Sequence, residues 1–113
     1  MILPTILEFE AKGIYLFVDA PVIFNREEIT DMTTVDSVVT MLTNGETVPS
    51  IGEINEIYSL RFISDKYSHM YFCFDYITTD DGSYFYDHLS LSYVKANGIL
   101  DGYVASLEGK IGE

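Results

Sequence analysis

The sequence predicts an α+β fold: a single twisted antiparallel sheet made of an N-terminal hairpin, one helix and a four-strand meander, with the helix on one face. Three observations carry that prediction. Apolar and polar residues alternate through most of the second half, helical spacing of apolar residues replaces the alternation in one stretch, and Asp-Gly or Asn-Gly turn signals punctuate the runs. At 113 residues, 48% of them hydrophobic, the chain has the size and apolar content for one core, so 1–113 is read as a single globular domain.

Taken in order, ILEFE (6–10) alternates apolar and acidic residues. The run IYLFVD (14–19) follows as its hairpin partner, with Gly13 easing the turn, and Pro21 breaks that strand. In TTVDSVVTMLTNG (33–45), Val35, Val38, Val39 and Leu42 fall at helical spacing. Thr33 or Thr34 can cap the start, Asp36 suits the positive end of the helix dipole, and Asn44-Gly45 marks the stop. The β-branched content lowers helix propensity, which makes a strand the competing reading. From residue 56 onward EIYSLRFIS, HMYFCFDYIT, SYFYDHLSLSYV and ILDGYVASL read as four strands joined by turns at Asp65-Lys66, Asp80-Asp81-Gly82 and 95–98, and EGKIGE (108–113) is expected to fray.

Turn chemistry then assigns the faces. A two-residue turn at Asp81-Gly82 pairs Phe74 with Leu89, Phe72 with Leu91 and Met70 with Tyr93; a four-residue turn over 79–82 shifts these pairs but keeps the side-chain parity. Met70, Phe72, Phe74, Leu89 and Leu91 therefore read as core. Tyr58, Leu60 and Phe62 join them if the connection around Asp65 has odd length, as do Leu100 and Val104 across the last turn. The opposite face carries Arg61, Tyr71, Cys73, Asp75, Tyr84, Tyr86, His88, Ser90, Ser92, Asp101 and Tyr103. Tyrosine with small polar residues and scattered charge is a mixture that protein-binding surfaces favour.

Charge narrows the function. Eighteen Asp and Glu against six Lys and Arg give a formal net charge of −12, which repels nucleic acid and anionic membrane surfaces and accelerates encounter with a basic partner. The apolar runs are far shorter than the roughly 20 residues that cross a bilayer, and no secretory leader is visible. One cysteine, Cys73, forbids an internal disulfide and fits a reducing, cytoplasmic setting.

Catalytic and metal signatures are sparse. Asp75 and His88 fall opposite or nearly opposite each other beside Tyr86, the pairing of a general base and its orienter, but an open sheet face excludes no water and offers no oxyanion donors. TTDDGS lacks the alternating acidic ligands of a calcium loop, His69 and His88 fall far apart, and Cys73 beside Asp75 is a poor thiolate. No metal, no cofactor and no enzymatic activity are therefore expected.

The sequence reads as an acidic, non-catalytic binding protein, most concretely an immunity or inhibitor protein that neutralises a basic protein such as a nuclease toxin. Its expected contacts are Asp75, Tyr84, Tyr86, Asp87, His88, Asp101 and Tyr103, with Asp80 and Asp81 at the turn. Two alternatives are a virus-encoded mimic of DNA charge that blocks a defence or repair enzyme, and a small ligand-binding or enzymatic domain using Asp75, His88 and Tyr86. Composition leaves the oligomeric state open.

Overall fold

The computed structural model describes residues 4–18 and 26–111. In chain order the elements are α1 (Ile6–Phe9), β1 (Gly13–Phe17), β2 (Arg26–Ile29), α2 (Met32–Asn44), β3 (Thr47–Val48), β4 (Ile54–Ile63), β5 (Phe72–Thr79), β6 (Gly82–Asp87), β7 (Ser92–Lys95) and α3 (Asp101–Ile111). The strands form one antiparallel sheet in the order β2-β1-β4-β5-β6-β7-β3, so the fold is α+β as expected, with seven strands and three helices among the described residues. The N-terminal hairpin joins the sheet through β1, which pairs with β4.

That hairpin is not formed by 6–10. Those residues make α1, because Thr5 and Glu8 form a reciprocal capping box and Glu10 closes the turn in the left-handed region at φ 53°. The partner of β1 is instead β2, in the Arg-Glu-Glu-Ile segment that carried no strand expectation; Ile14 faces Ile29 and Phe17 faces Arg26. The expected break at Pro21 lies outside the described residues.

The helix expected over 33–45 is α2, and it buries Val35, Val38 and Val39. Its N-cap is Asp31 rather than Thr33 or Thr34, and the Asp31 carboxylate accepts a hydrogen bond from the Thr34 hydroxyl at 2.8 Å. Gly45 is the C-cap, where the backbone turns extended at an ordinary φ of −75°, and space requires glycine there: a side chain would press on the Met41 carbonyl oxygen and begin 2.8 Å from Val94 Cγ1.

The meander holds for β4, β5 and β6 and then departs from expectation. The β5–β6 turn is Asp80-Asp81, with Thr79 facing Gly82 and Gly82 taking the positive φ of 149°. Relative to an Asp81-Gly82 turn the register moves by two residues: Phe74 faces Asp87, not Leu89. The pairs of the four-residue alternative are the ones formed, closed by one further pair at the tip. SYFYDHLSLSYV is consequently two strands, β6 and β7, joined by a turn in which Leu89 and Leu91 are 80% and 71% exposed rather than core.

ILDGYVASL is a pair of turn residues followed by helix, α3 starting at Asp101. Leu100, Tyr103, Val104 and Leu107 recur at the three- and four-residue spacing of one helix face, and α3 lays that face on β1 and β2. Asp101 and Tyr103 therefore do not stand on the polar sheet face. The helix also runs to Ile111, through residues expected to fray.

One core results. Ile14 and Leu16 of β1, Tyr58, Leu60 and Phe62 of β4, Phe74 and Tyr76 of β5, Phe85 of β6 and Val94 of β7 share one strand parity and pack with Phe9, the α2 valines, Leu100 and Leu107. All three helices thus cover the same face of the sheet. Two phenols anchor α3 there: buried Tyr58 donates to Glu108 Oε1 at 2.5 Å, and fully buried Tyr76 donates to Asp101 Oδ1 at 2.8 Å. No helix among the described residues is long and apolar enough to cross a membrane.

Candidate functional site

With the helices on one side, the second sheet face is assembled purely by strand parity. Tyr15 and Phe17 of β1, Ser59 and Arg61 of β4, Cys73, Asp75 and Ile77 of β5, Tyr84 and Tyr86 of β6, and Tyr93 and Lys95 of β7 alternate with the core residues of the same strands. Rows run straight across the sheet. One reads Phe17, Ser59, Asp75, Tyr86, Tyr93; its neighbour reads Ile57, Ile77, Tyr84, Lys95. Phe17 and Ile77 are buried among these side chains, so the face has an apolar floor beneath its phenols.

The expected pair forms on this face. His88 Nε2 lies 2.9 Å from Asp75 Oδ2, and the Tyr86 ring packs edge-on against the imidazole at 4.9 Å while leaning on Tyr93 at 4.8 Å. The His88 side chain is 54% exposed. Next to this pair, Cys73 lies opposite Arg61. Partial desolvation raises the thiol's pKa and the Asp75 charge adds to that, outweighing the pull of Arg61 in the other direction, so Cys73 remains a thiol near neutrality.

Asp87 is used locally. It sits at the core parity of β6 opposite Phe74, and its carboxylate accepts from the Leu89 N–H and the Ser90 hydroxyl, both at 2.9 Å, shaping the β6–β7 turn.

Asp80, Asp81 and Asp101 converge elsewhere. They line a cleft of about 530 Å³ between the β5–β6 turn and the turn at 96–100, together with Thr78, Ser83, Tyr84 and Lys95. Its shape is fixed by short hydrogen bonds. Thr79 Oγ1 accepts from the Asp81 N–H, buried Ser83 Oγ accepts from the Gly98 N–H at 2.7 Å, and Asn55 Nδ2 donates to Asp80 Oδ1 at 2.9 Å. Lys95 is engaged by Glu46 at 2.6 Å, which leaves the cleft acidic. Tyr84 belongs to both the cleft and the open face.

The structure therefore divides the nine expected contacts. Asp75, Tyr84, Tyr86 and His88 share the open face; Asp80, Asp81 and Asp101 meet in the cleft beside it; Asp87 serves its own turn; and Tyr103 lies on the far side, half-buried against the core. Tyr15, Phe17 and Tyr93 are additions to the face that the sequence reading did not single out. The alternation of β1 was the signal for Tyr15 and Phe17. Tyr93 reverses an expectation: an unbroken strand pairs it with Met70 on the core side and puts Ser92 on the polar face, whereas the turn between β6 and β7 flips that parity, setting Tyr93 beside Tyr86 and Ser92 beside Asp87. Among the described residues, no group of three or more His, Cys, Asp and Glu side chains is spaced to hold a metal ion.

No known protein family, curated protein or solved structure matches the chain. What fold and site define is a class: an α+β domain whose sheet is covered by helices on one face and presents tyrosines on the other, with an acidic cleft at one end.

Proposed function

We propose that this protein is an acidic, non-catalytic binding protein for a basic protein partner, acting as an inhibitor of the immunity type that neutralises a toxin such as a nuclease. The observation that carries this reading is the junction at Tyr84, where a cleft holding Asp80, Asp81 and Asp101 opens beside the tyrosine-rich sheet face. Carboxylates in a partly enclosed cleft focus negative potential on an incoming Lys or Arg, and rigid phenols beside them supply contact area at small entropic cost. The cytoplasm, where such a toxin would act, is the proposed location. The cleft does not include His88, Tyr86 or Asp75, so the acid–base pair lies apart from the enclosed volume, which favours binding over catalysis.

The test is affinity capture from the native host at low and high salt, followed by association kinetics of the purified partner. A basic partner whose activity is blocked stoichiometrically is expected. Asp80→Asn with Asp81→Asn should slow its association by about tenfold at low salt and flatten the salt dependence, because steering by charge acts on the on-rate. No retained protein at low salt, or an unchanged salt dependence in the double variant, would refute the reading.

A further inference from the structure

The open face of a protein with net charge −12 has a cation at its heart. Arg61 stands on β4, flanked on its own face by Tyr15 of β1 and Cys73 of β5. Its guanidinium carbon lies 4.2 Å from the centre of the Tyr71 ring and 5.6 Å from that of Phe17, so two aromatic rings hold the planar group. Lys12, Arg26, Lys66 and Lys95 each have a carboxylate oxygen within 3.0 Å. Arg61 has none among the described residues, and its Nε is shut off from water without a hydrogen-bond acceptor.

An arrangement of this kind has a physical cost that an arriving group can relieve. A guanidinium whose Nε is stripped of water without an acceptor, and whose side-chain neighbour on the strand beside it is only the weakly accepting Cys73 thiol, is incompletely satisfied, and a fork held flat by neighbouring rings loses little entropy when a planar anion binds it through two parallel hydrogen bonds. We propose that Arg61 is the anchor for a carboxylate on a protein that docks on the tyrosine face. Carboxylate is favoured over phosphate because the surrounding charge of −12 penalises each added negative charge, and a carboxylate carries one where a phosphate monoester carries up to two. A polypeptide source is favoured because the floor around Arg61 is aromatic, with Tyr15, Phe17 and Tyr71 ready to take apolar side chains next to the acid. The site is separate from the acidic cleft and does not depend on the partner's net charge.

The test uses the protein alone. Nitrogen-15 spectra that resolve the Arg61 Nε–Hε resonance are recorded while sodium acetate, sodium phosphate or sodium chloride is added at constant ionic strength. The same titration is made with an acetylated, amidated pentapeptide carrying one glutamate between leucines, and with its glutamine counterpart. Acetate should shift the resonance saturably, the glutamate peptide should bind about tenfold more tightly than acetate, and the glutamine peptide should lose that gain. In Arg61→Met the backbone signals of Tyr15, Tyr71 and Cys73 should no longer respond, with Arg61→Lys retaining only a weak response; thermal melts establish that both variants are folded. An acetate response no larger than that to chloride overturns the site. Phosphate binding as tightly as acetate overturns the choice of carboxylate, and equal affinity for acetate and the glutamate peptide overturns the polypeptide source. Because neither the host partner nor Asp80 and Asp81 enter this experiment, its failure is distinct from failure of the basic-partner reading.

Discussion

The attachment of α3 to the sheet can be tested at one hydrogen bond. Tyr76 is fully buried on β5, and its hydroxyl donates to Asp101 Oδ1 at 2.8 Å in the first turn of α3. Tyr76→Phe removes the donor without opening a cavity, since the ring stays. A hydrogen bond to a charged acceptor is worth roughly 1.5–3 kcal/mol, but Asp101 is exposed and regains water, which places the expected loss near the lower end, about 1–2 kcal/mol. For a chain of this length that corresponds to a fall in Tm of roughly 4–8 °C. Asp101→Ala should lose a similar amount, in part because an acidic residue at a helix N-terminus is itself stabilising by roughly 0.3–1 kcal/mol. The double variant should cost less than the sum by about 1 kcal/mol, since the two groups share one bond. Urea unfolding followed by circular dichroism measures all four proteins. Full additivity, or a Tyr76→Phe loss below about 0.5 kcal/mol, would refute the view that this bond docks the helix.

High pH probes the same phenol differently. Burial, with a contribution from the negative charge of Asp101, pushes the Tyr76 hydroxyl from 10.0 up to about 12. The unfolded chain ionises first, so stability from this group is intact below pH 10 and declines through pH 12, by roughly 3 kcal/mol in all. Denaturant midpoints across that window should fall in the wild type and be flatter in Tyr76→Phe; parallel curves would contradict the assignment. Gly45→Ala should destabilise by about 1–3 kcal/mol despite its ordinary φ, because the new methyl meets Val94 and the last turn of α2; an unchanged melt would remove the steric explanation. Leu89→Ser and Leu91→Ser should each change stability by less than about 0.5 kcal/mol, whereas Phe85→Ala should cost about 3–5 kcal/mol, and similar losses at all three would restore the register that places the leucines in the core.

Legibility differed from element to element for identifiable reasons. α2 was readable because Val35, Val38 and Val39 share a face that no strand could bury together. α1 left a signal that alternation concealed: Thr5 and Glu8 have capping-box spacing, and this local bond set overrides the strand-like look of ILEFE. α3 was ambiguous because Leu100 and Val104, four apart, share a face in a helix and also in a strand. Tyr103 and Leu107 break the tie, since they join that face only in a helix. Of the site, Asp75, Tyr84, Tyr86 and His88 were placed on one face correctly because parity survives a two-residue shift in register. Asp101 and Tyr103 were lost with the helix.

By itself, then, the sequence determined the fold class, the faces of β4, β5 and β6, the position of α2 and the acidity that frames any partner. All of these follow from composition or from the period of the chain, and both are local. Tertiary structure decided the register, the fate of Leu89 and Leu91, the meeting of Asp80 and Asp81 with Asp101, and the isolation of Arg61 between Phe17 and Tyr71. Each of these depends on which distant segments become neighbours. Competition among packings of the whole core sets that outcome, and a repeating pattern along one segment carries no record of it.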